Sequence, residues 1–148
     1  MAGTLWNAAD RESILGRFER LSPDARPKWG KLDAPRMVTH VTDAVRASIG
    51  ELALRPKSGP LRYWPVNVLV MFYMPWPEGA PTAPELLDRQ PVDWASELGM
   101  LRATVDRFTA RDVNGQWTPH VAFGRLTGSQ WGRLMYRHLD HHLGQFGV

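Results

Sequence analysis

The amino-acid sequence predicts an all-α protein, an up-and-down four-helix bundle with one long Pro-rich loop. Capping residues precede the amphipathic stretches, apolar residues recur at helical spacing, and most connections are short and contain Pro or Gly. Four or five helices joined in this way are typical of antiparallel bundles. A chain of 148 residues can bury one core, so we expect a single domain over residues 1–148.

The first two helices have recognisable start signals. Asn7 can cap a first helix whose apolar residues reach Leu21 at spacings of one, three and three. Asp33 stands two residues before Pro35, which gives an N-cap followed by a first-turn proline. The second helix should then continue to Gly50, because glycine is common just after a helix end.

The middle of the chain is less regular. Residues 61–74 (LRYWPVNVLVMFYM) are rich in β-branched and aromatic types, so periodicity does not separate a strand from a buried helix. We interpret them as helical because their neighbours are helical. Residues 75–91 contain five prolines. A loop of this length in a compact domain is either a lid over a binding site or a solvated connection, and both readings stay open here.

Two further helices complete the predicted bundle. Residues 92–110 carry apolar side chains at helical spacing, namely Trp94, Leu98, Leu101, Val105 and Phe108. Thr127 and Gln130 fit the capping-box pattern, in which each side chain caps the other residue's backbone. The helix that they open should run from about Gly128 to Phe146.

Composition argues against several classes of protein. The net charge is only +3 and the basic residues are spread out, which argues against a nucleic-acid partner. The absence of cysteine excludes disulfides, thiolate metal sites and a cysteine nucleophile. The first twelve residues lack signal-peptide features, and the longest apolar run is far below the ~20 residues that span a bilayer. We expect a soluble cytoplasmic protein with a small-molecule substrate and no membrane partner; a homodimer stays open.

Three of the five histidines lie in HLDHHLGQF, residues 138–146. His138 and His142 are four residues apart, so a helix places them on one face, about 5–6 Å apart at Cβ. Their stripe continues through apolar residues and therefore points to the core. Buried imidazoles need hydrogen bonds or a ligand, and two together resist protonation. A divalent cation binds neutral imidazole directly, so the pair is a candidate metal site.

A third ligand can come from the second helix. His40 lies on the apolar stripe of that helix, with Met37, Val41 and Ala44. A bundle that packs the two stripes together would bring His40 to His138 and His142, and three protein ligands with one open position are typical of catalytic zinc. The alternative is an ordinary core histidine and a polar helix end.

Four more residues are candidates for the pocket or for contacts with the ligands: His120, His141, Asp43 and Gln145. His120 lies in a loop, where an exposed histidine is the simpler interpretation. Asp43 can accept the second ring N–H of a ligand, although a solvated helix carboxylate is the alternative. No HExxH motif is present, and Asp140 should project away from the ligands, so no catalytic base is identified.

Two stretches resemble DinB/YfiT-like proteins. PKWGKLDAPRMVTHVTDA followed by SIG is similar to the segment entering their second helix, and TPHVAFGRLTGSQWGRLMYRHLDHHLGQFG to their last helix. The nearest resemblance is to a subfamily of unknown function with a Trp-Gly pair before the second helix and HHLxQFG at the end. The similarity spans residues 8–148 and is specific over 23–50 and 117–147.

The resemblance implies a four-helix bundle and a metal triad of His40, His138 and His142. It also implies a divalent metal ion (Zn, Ni, Mn or Fe) and a low-molecular-weight thiol as a possible cofactor. Activities in the superfamily include metal-dependent thiol transfer, maleylpyruvate isomerisation and hydrolysis. Many relatives carry arginine after the last histidine pair, where this chain has Leu143 and Gly144.

Two hypotheses follow from the sequence. The first is a metal-dependent enzyme, a hydrolase or thiol transferase, that activates water or a thiol at the open metal position. The second is a non-catalytic helical binding protein with a structural metal or none. One scaffold hosts many functions, so the fold alone does not choose between them.

Overall fold

A computed structural model describes residues 3–80 and 82–148. Regular secondary structure in these residues is helical, without a β-strand, which confirms the all-α prediction. The five helices are α1 (Ala8–Arg20), α2 (Ala34–Ser48), α3 (Val66–Phe72), α4 (Trp94–Thr109) and α5 (Gly128–Gln145). Short 3₁₀ turns cover Pro60–Arg62 and Pro84–Leu87. None of the described helices is both long enough and apolar enough to cross a membrane.

The predicted start signals all act as caps. The side chains of Asn7 and Asp33 each accept the backbone N–H three residues later, at 3.0 and 2.9 Å. Thr127 and Gln130 form both hydrogen bonds of the capping box. Asp93 caps α4 in the same manner. These bonds satisfy N–H groups that a helix start leaves unpaired, so the chain fixes its helix boundaries locally.

The four long helices pack around one core. α2 contacts both α4 and α5, and α1 contacts the same two helices. Fully buried side chains from all four fill the space between them, among them Phe18, Met37, Val38, Leu101, Phe108 and Leu139. The hydrophobic effect thereby holds the inner face of α2 against the inner face of α5, and both faces carry histidines.

Residues 61–74 are helical only in part. α3 has seven residues, follows a 3₁₀ turn and the cis peptide bond between Trp64 and Pro65, and buries only Asn67 and Met71. The helical interpretation is therefore confirmed for residues 66–72 of this segment. The expectation of a longer helix is wrong, because Pro65 has no N–H and ends the preceding turn.

The Pro-rich loop is fastened to the helices around it. Arg89 donates to both carboxylate oxygens of Asp43 on α2, at 3.1 and 3.3 Å, and to both of Glu97 on α4, at 2.9 and 3.2 Å. Both carboxylates are nearly inaccessible to solvent. Residue 81, within the predicted loop, lies outside the described residues. Arg89 therefore holds the end of the Pro-rich loop against α2 and α4.

Candidate metal centre

Three imidazoles converge between α2 and α5. The Nε2 atom of His138 lies 3.3 Å from Nε2 of His40 and 3.1 Å from Nε2 of His142. One ring nitrogen from each residue lies within 4.8 Å of the others. Zn–N bonds of about 2.0–2.1 Å in a tetrahedral site separate two ligand nitrogens by about 3.3 Å. The spacing therefore suits three nitrogen ligands on one small cation.

The other ring nitrogens of two ligands face hydrogen-bond acceptors. His40 Nδ1 lies 3.4 Å from the backbone carbonyl of Leu86, which belongs to the 3₁₀ turn of the Pro-rich loop. His142 Nδ1 lies 2.9 Å from Oε1 of Gln145. A proton on each Nδ1 can be donated to these acceptors. Each Nε2 is then unprotonated, and its lone pair points into the cluster.

Gln145 is itself held in one orientation. Its Nε2 donates to the backbone carbonyl of Trp29 at 2.8 Å, which turns Oε1 towards His142. Gly30 adopts a φ of +87°, and a Cβ there would collide with the amide of Gln145. The Trp-Gly pair before α2 therefore provides both a carbonyl partner and the space for this side chain.

Burial keeps the three imidazoles neutral. Burial lowers the pKa of His40, although the Leu86 carbonyl and Asp43 oppose this effect. Burial, with the neighbouring His142 and His40, holds the pKa of His138 well below its usual range. Burial and His40 lower the pKa of His142 to about 3. Neutral imidazole is the form that binds metal, so the site is ready for a cation at neutral pH.

Aromatic rings border the cluster. Trp76, from the Pro-rich loop, lies 6.3 Å from His138 and 5.5 Å from His141 between ring centroids. Trp29 lies 5.1 Å from His141. The guanidinium of Arg137 lies 4.5 Å from the centre of the Trp76 ring. His141 therefore lies near both indoles beside the triad and is not one of its members.

Comparison with known proteins assigns a family. Residues 72–147, just over half of the chain, match the family described as "Protein of unknown function (DUF1569)". The chain belongs to the DUF1569 family. No curated protein and no solved structure matches it. The DUF1569 match includes Trp76, His138, His142 and Gln145, whereas His40 and Trp29 precede it.

Asp43 does not contact a ligand as the sequence suggested it could. The Leu86 carbonyl takes the position facing His40 Nδ1, and Asp43 Oδ1 instead accepts from Arg46 and Arg89, both at 3.1 Å. Asp43 is also 2% exposed, so the alternative of a solvated carboxylate is wrong as well. Its role is to anchor the Pro-rich loop of this DUF1569 protein.

His120 differs from the exposed loop histidine that the sequence favoured. Its Nδ1 accepts the backbone N–H groups of Ala122 and Phe123, both at 3.0 Å, and its ring packs 5.3 Å from that of Trp131. Burial, with Arg62 nearby, lowers its pKa to about 4. His120 therefore organises the turn before α5 and does not join the triad.

Sequence reasoning missed three contributors to the site. The contributors are the Leu86 carbonyl, the Trp29 carbonyl and the Arg89 guanidinium. The two carbonyls and the Arg89–Asp43 pair each join residues more than forty positions apart. Backbone carbonyls leave no trace in residue types. The Trp-Gly pair and the single arginine near the end of the Pro-rich loop were the only signals available.

Proposed function

We propose that this protein is a metal-dependent enzyme of the DinB-like four-helix-bundle type. His40, His138 and His142 hold a divalent cation (Zn, Ni, Mn or Fe), and an open position accepts water or a thiol of a small molecule. One observation supports this proposal. His40 and His142 each have a hydrogen-bond acceptor at Nδ1, which leaves the Nε2 atom of each ring unprotonated and able to bind a metal. A cytoplasmic location and a small-molecule substrate are part of it.

The cluster is incomplete without a cation. His138 Nε2 is within hydrogen-bond distance of two unprotonated nitrogens, but a neutral imidazole carries only one proton and can donate to one of them. A second proton in the cluster is opposed by burial, which lowers the pKa of each ring. A cation accepts all three lone pairs and removes the remaining repulsion.

Helix placement supports the DinB-like assignment. One ligand lies on α2 and two lie four residues apart on α5, the distribution that the resemblance implies. α1, α2, α4 and α5 enclose the core, while α3 and the Pro-rich loop are additions at the edge. Imidazoles projecting inward from facing helices are a common way to build metal sites in bundles.

The residues around the triad favour chemistry that needs no carboxylate base. A divalent cation held by neutral ligands supplies Lewis acidity that favours deprotonation of water or a thiol. Two candidate carboxylates are paired with arginines. Asp43 accepts hydrogen bonds from Arg46 and Arg89, and Asp140, on the outer side of α5, pairs with Arg17 at 2.6 Å. Among the described residues, no Asp or Glu joins the histidine cluster. Trp29 and Trp76 add apolar rings beside the cluster.

Metal content is the first test. Tag-free protein purified without chelator should carry close to one equivalent of metal by mass spectrometry, and His142→Ala should lose it with little change in helicity. His141→Ala is the matched control, since it removes the adjacent imidazole outside the triad, and it should retain the metal. Equal metal content in wild type and His142→Ala would exclude the triad.

The reaction type is tested next with the metal-loaded protein. Co(II)-loaded protein should show a change in its visible spectrum when a small thiol is added, because the thiol occupies the open position. Thiol-transfer and ester-hydrolysis assays then follow. A loaded protein whose spectrum is unaffected by thiols and that catalyses neither reaction would favour the non-catalytic binding protein with a structural metal.

A further inference from the structure

Seven large apolar side chains around α3 are exposed together. We call this set the α3 surface; it consists of Leu61, Tyr63, Trp64, Val66, Leu69, Tyr73 and Met74. Their exposed fractions lie between 37% and 79%. Only three other large hydrophobic residues of the described chain are exposed, and they are distant from α3 in sequence: Val92, Met100 and Val148. The exposure is therefore concentrated in residues 61–74, which are α3 and the segments that flank it.

The summed exposed area of the seven side chains exceeds the largest apolar patch that a monomer ordinarily exposes. Its exposed fractions correspond to roughly 800 Å² of accessible area, given the size of aromatic and aliphatic side chains. The largest apolar patch on a typical monomer is about 300–600 Å². A stable protein–protein interface of standard size takes about 800 Å² from each partner. The patch is thus large enough to form one half of such an interface.

The chemistry of the segment favours a protein partner. Protein interfaces are enriched in aromatic residues, Met and Arg and are depleted in Lys, Asp, Glu, Ser and Ala. Residues 60–77 contain five aromatic residues, two methionines and one arginine, with none of the depleted types. A surface that binds anionic lipid would instead need several free cations around the apolar residues.

The neighbouring arginines are already bound to their own chain. Arg62 Nη1 donates to the carbonyls of Lys57 and Val121, both at 3.1 Å. Arg137 donates to the carbonyls of Met71 and Met74, and the Arg133 guanidinium lies 4.0 Å from the centre of the Phe72 ring. These contacts hold the three guanidinium groups against the chain's own backbone and Phe72, and the seven side chains of the α3 surface are themselves uncharged.

We propose that the α3 surface is the interface between two copies of this chain, related by a two-fold axis. An uncharged apolar face is complementary to itself, and two-fold dimers are the commonest assembly of soluble proteins. Two such faces together bury about 1,600 Å², the standard size for a stable complex. The proposal does not depend on the metal centre.

Dimer formation would also affect the wall of the histidine cluster. The indole N–H of Trp76 donates to the carbonyl of Val70 at 3.0 Å, and Arg137 joins α3 to the helix that carries His138. A partner seated on α3 therefore holds the element to which Trp76 is bound. The metal ligands themselves remain within one chain.

The test compares two substitutions that each place a carboxylate at an exposed apolar position. Leu69→Glu alters the middle of the α3 surface, whereas Val92→Glu alters an 84% exposed valine elsewhere. Light scattering after size exclusion, at about 1 to 100 µM protein, should give twice the 16.8 kDa chain mass for wild type and Val92→Glu. Leu69→Glu should give the mass of one chain with unchanged helicity.

A cross-linking experiment covers the case in which Leu69→Glu fails to fold. The chain has no cysteine, so Tyr73→Cys and Val92→Cys each provide one thiol. A bis-maleimide reagent should convert Tyr73→Cys, and not Val92→Cys, to covalent dimers. A wild type that is monomeric throughout, or a dimer that Leu69→Glu leaves intact, would overturn the proposal. A monomer that sediments with phosphatidylglycerol vesicles would assign the surface to a membrane and also overturn it.

Discussion

Gln145 links two parts of the chain that are 116 residues apart. Its amide nitrogen donates to the Trp29 carbonyl and its amide oxygen faces His142 Nδ1, so both polar atoms of the side chain are used. We expect Gln145→Leu to weaken Zn²⁺ binding about 10–100-fold, because the ring of His142 loses the partner that fixes its tautomer. Competition with a chromophoric chelator measures this affinity, and circular dichroism should show unchanged helicity.

The exposed residue Gln116 offers a matched control for this change. Gln116→Leu removes an amide of the same size from the surface, and its Zn²⁺ affinity should equal that of wild type. Equal affinities for Gln145→Leu and Gln116→Leu would show that the Gln145 contact does not orient a ligand.

Individual residues also show how far prediction from the sequence reaches. His40, His138 and His142 were identifiable because helical periodicity places each on an apolar stripe, and stripes pack together. His120 was not, because its burial depends on Trp131 and Phe123 folding over a turn without periodicity. The direction of a side chain can be predicted from the sequence in a periodic helix, but not in an irregular segment.

At the scale of elements, the Pro-rich loop depends on one side chain. Arg89 is the only described partner of Glu97 with a positive charge, and it also binds Asp43. Arg89→Met leaves the buried Glu97 carboxylate without a cation and removes one of the two cations that pair with Asp43, so we expect a loss of about 3 kcal/mol in the free energy of unfolding. The metal affinity should also fall, because the 3₁₀ turn that directs the Leu86 carbonyl to His40 is released. Urea denaturation and chelator competition measure the two effects.

Arg107→Met serves as the control for the loop variant. Arg107 pairs with Glu51 at 2.8 Å in an exposed position, and its removal should cost less than about 1 kcal/mol, with the metal affinity unchanged. A loop variant as stable as Arg107→Met, with wild-type metal affinity, would refute the anchoring role of Arg89.

Helix boundaries were predictable to within a few residues, since caps such as Asn7, Asp33 and Thr127 act on their own backbone. α3 was less predictable, because a seven-residue helix is too short for periodicity to separate it from a strand. The loop contacts were not predictable at all, because Arg89 finds its partners only after α2 and α4 have packed together. Local signals therefore define the elements, and long-range polar contacts complete the site.

At the scale of the whole molecule, folding places every histidine where burial lowers its pKa. The unfolded chain carries ordinary histidines with pKa values of about 6.5. Above this pH both states are neutral at histidine and stability does not depend on these groups. Below about pH 6.5 the histidines of the unfolded state bind protons while those of the folded state stay neutral, so the free energy of unfolding decreases as the pH falls.

His120 isolates this effect from the metal ligands. Its pKa is about 4 in the folded protein, so between pH 6.5 and 4 it should lower the stability of metal-free protein by about 1.4 kcal/mol per pH unit. In His120→Asn, the Asn Oδ1 can accept the same two backbone N–H groups but does not titrate. Urea denaturation with chelator at pH 7.5, 6.5 and 5.5 should give equal slopes for the two proteins above pH 6.5 and a shallower slope for His120→Asn below it. If both proteins lose stability in parallel down to pH 5.5, His120 is protonated in the folded state and the packing of its ring against Trp131 does not hold it neutral.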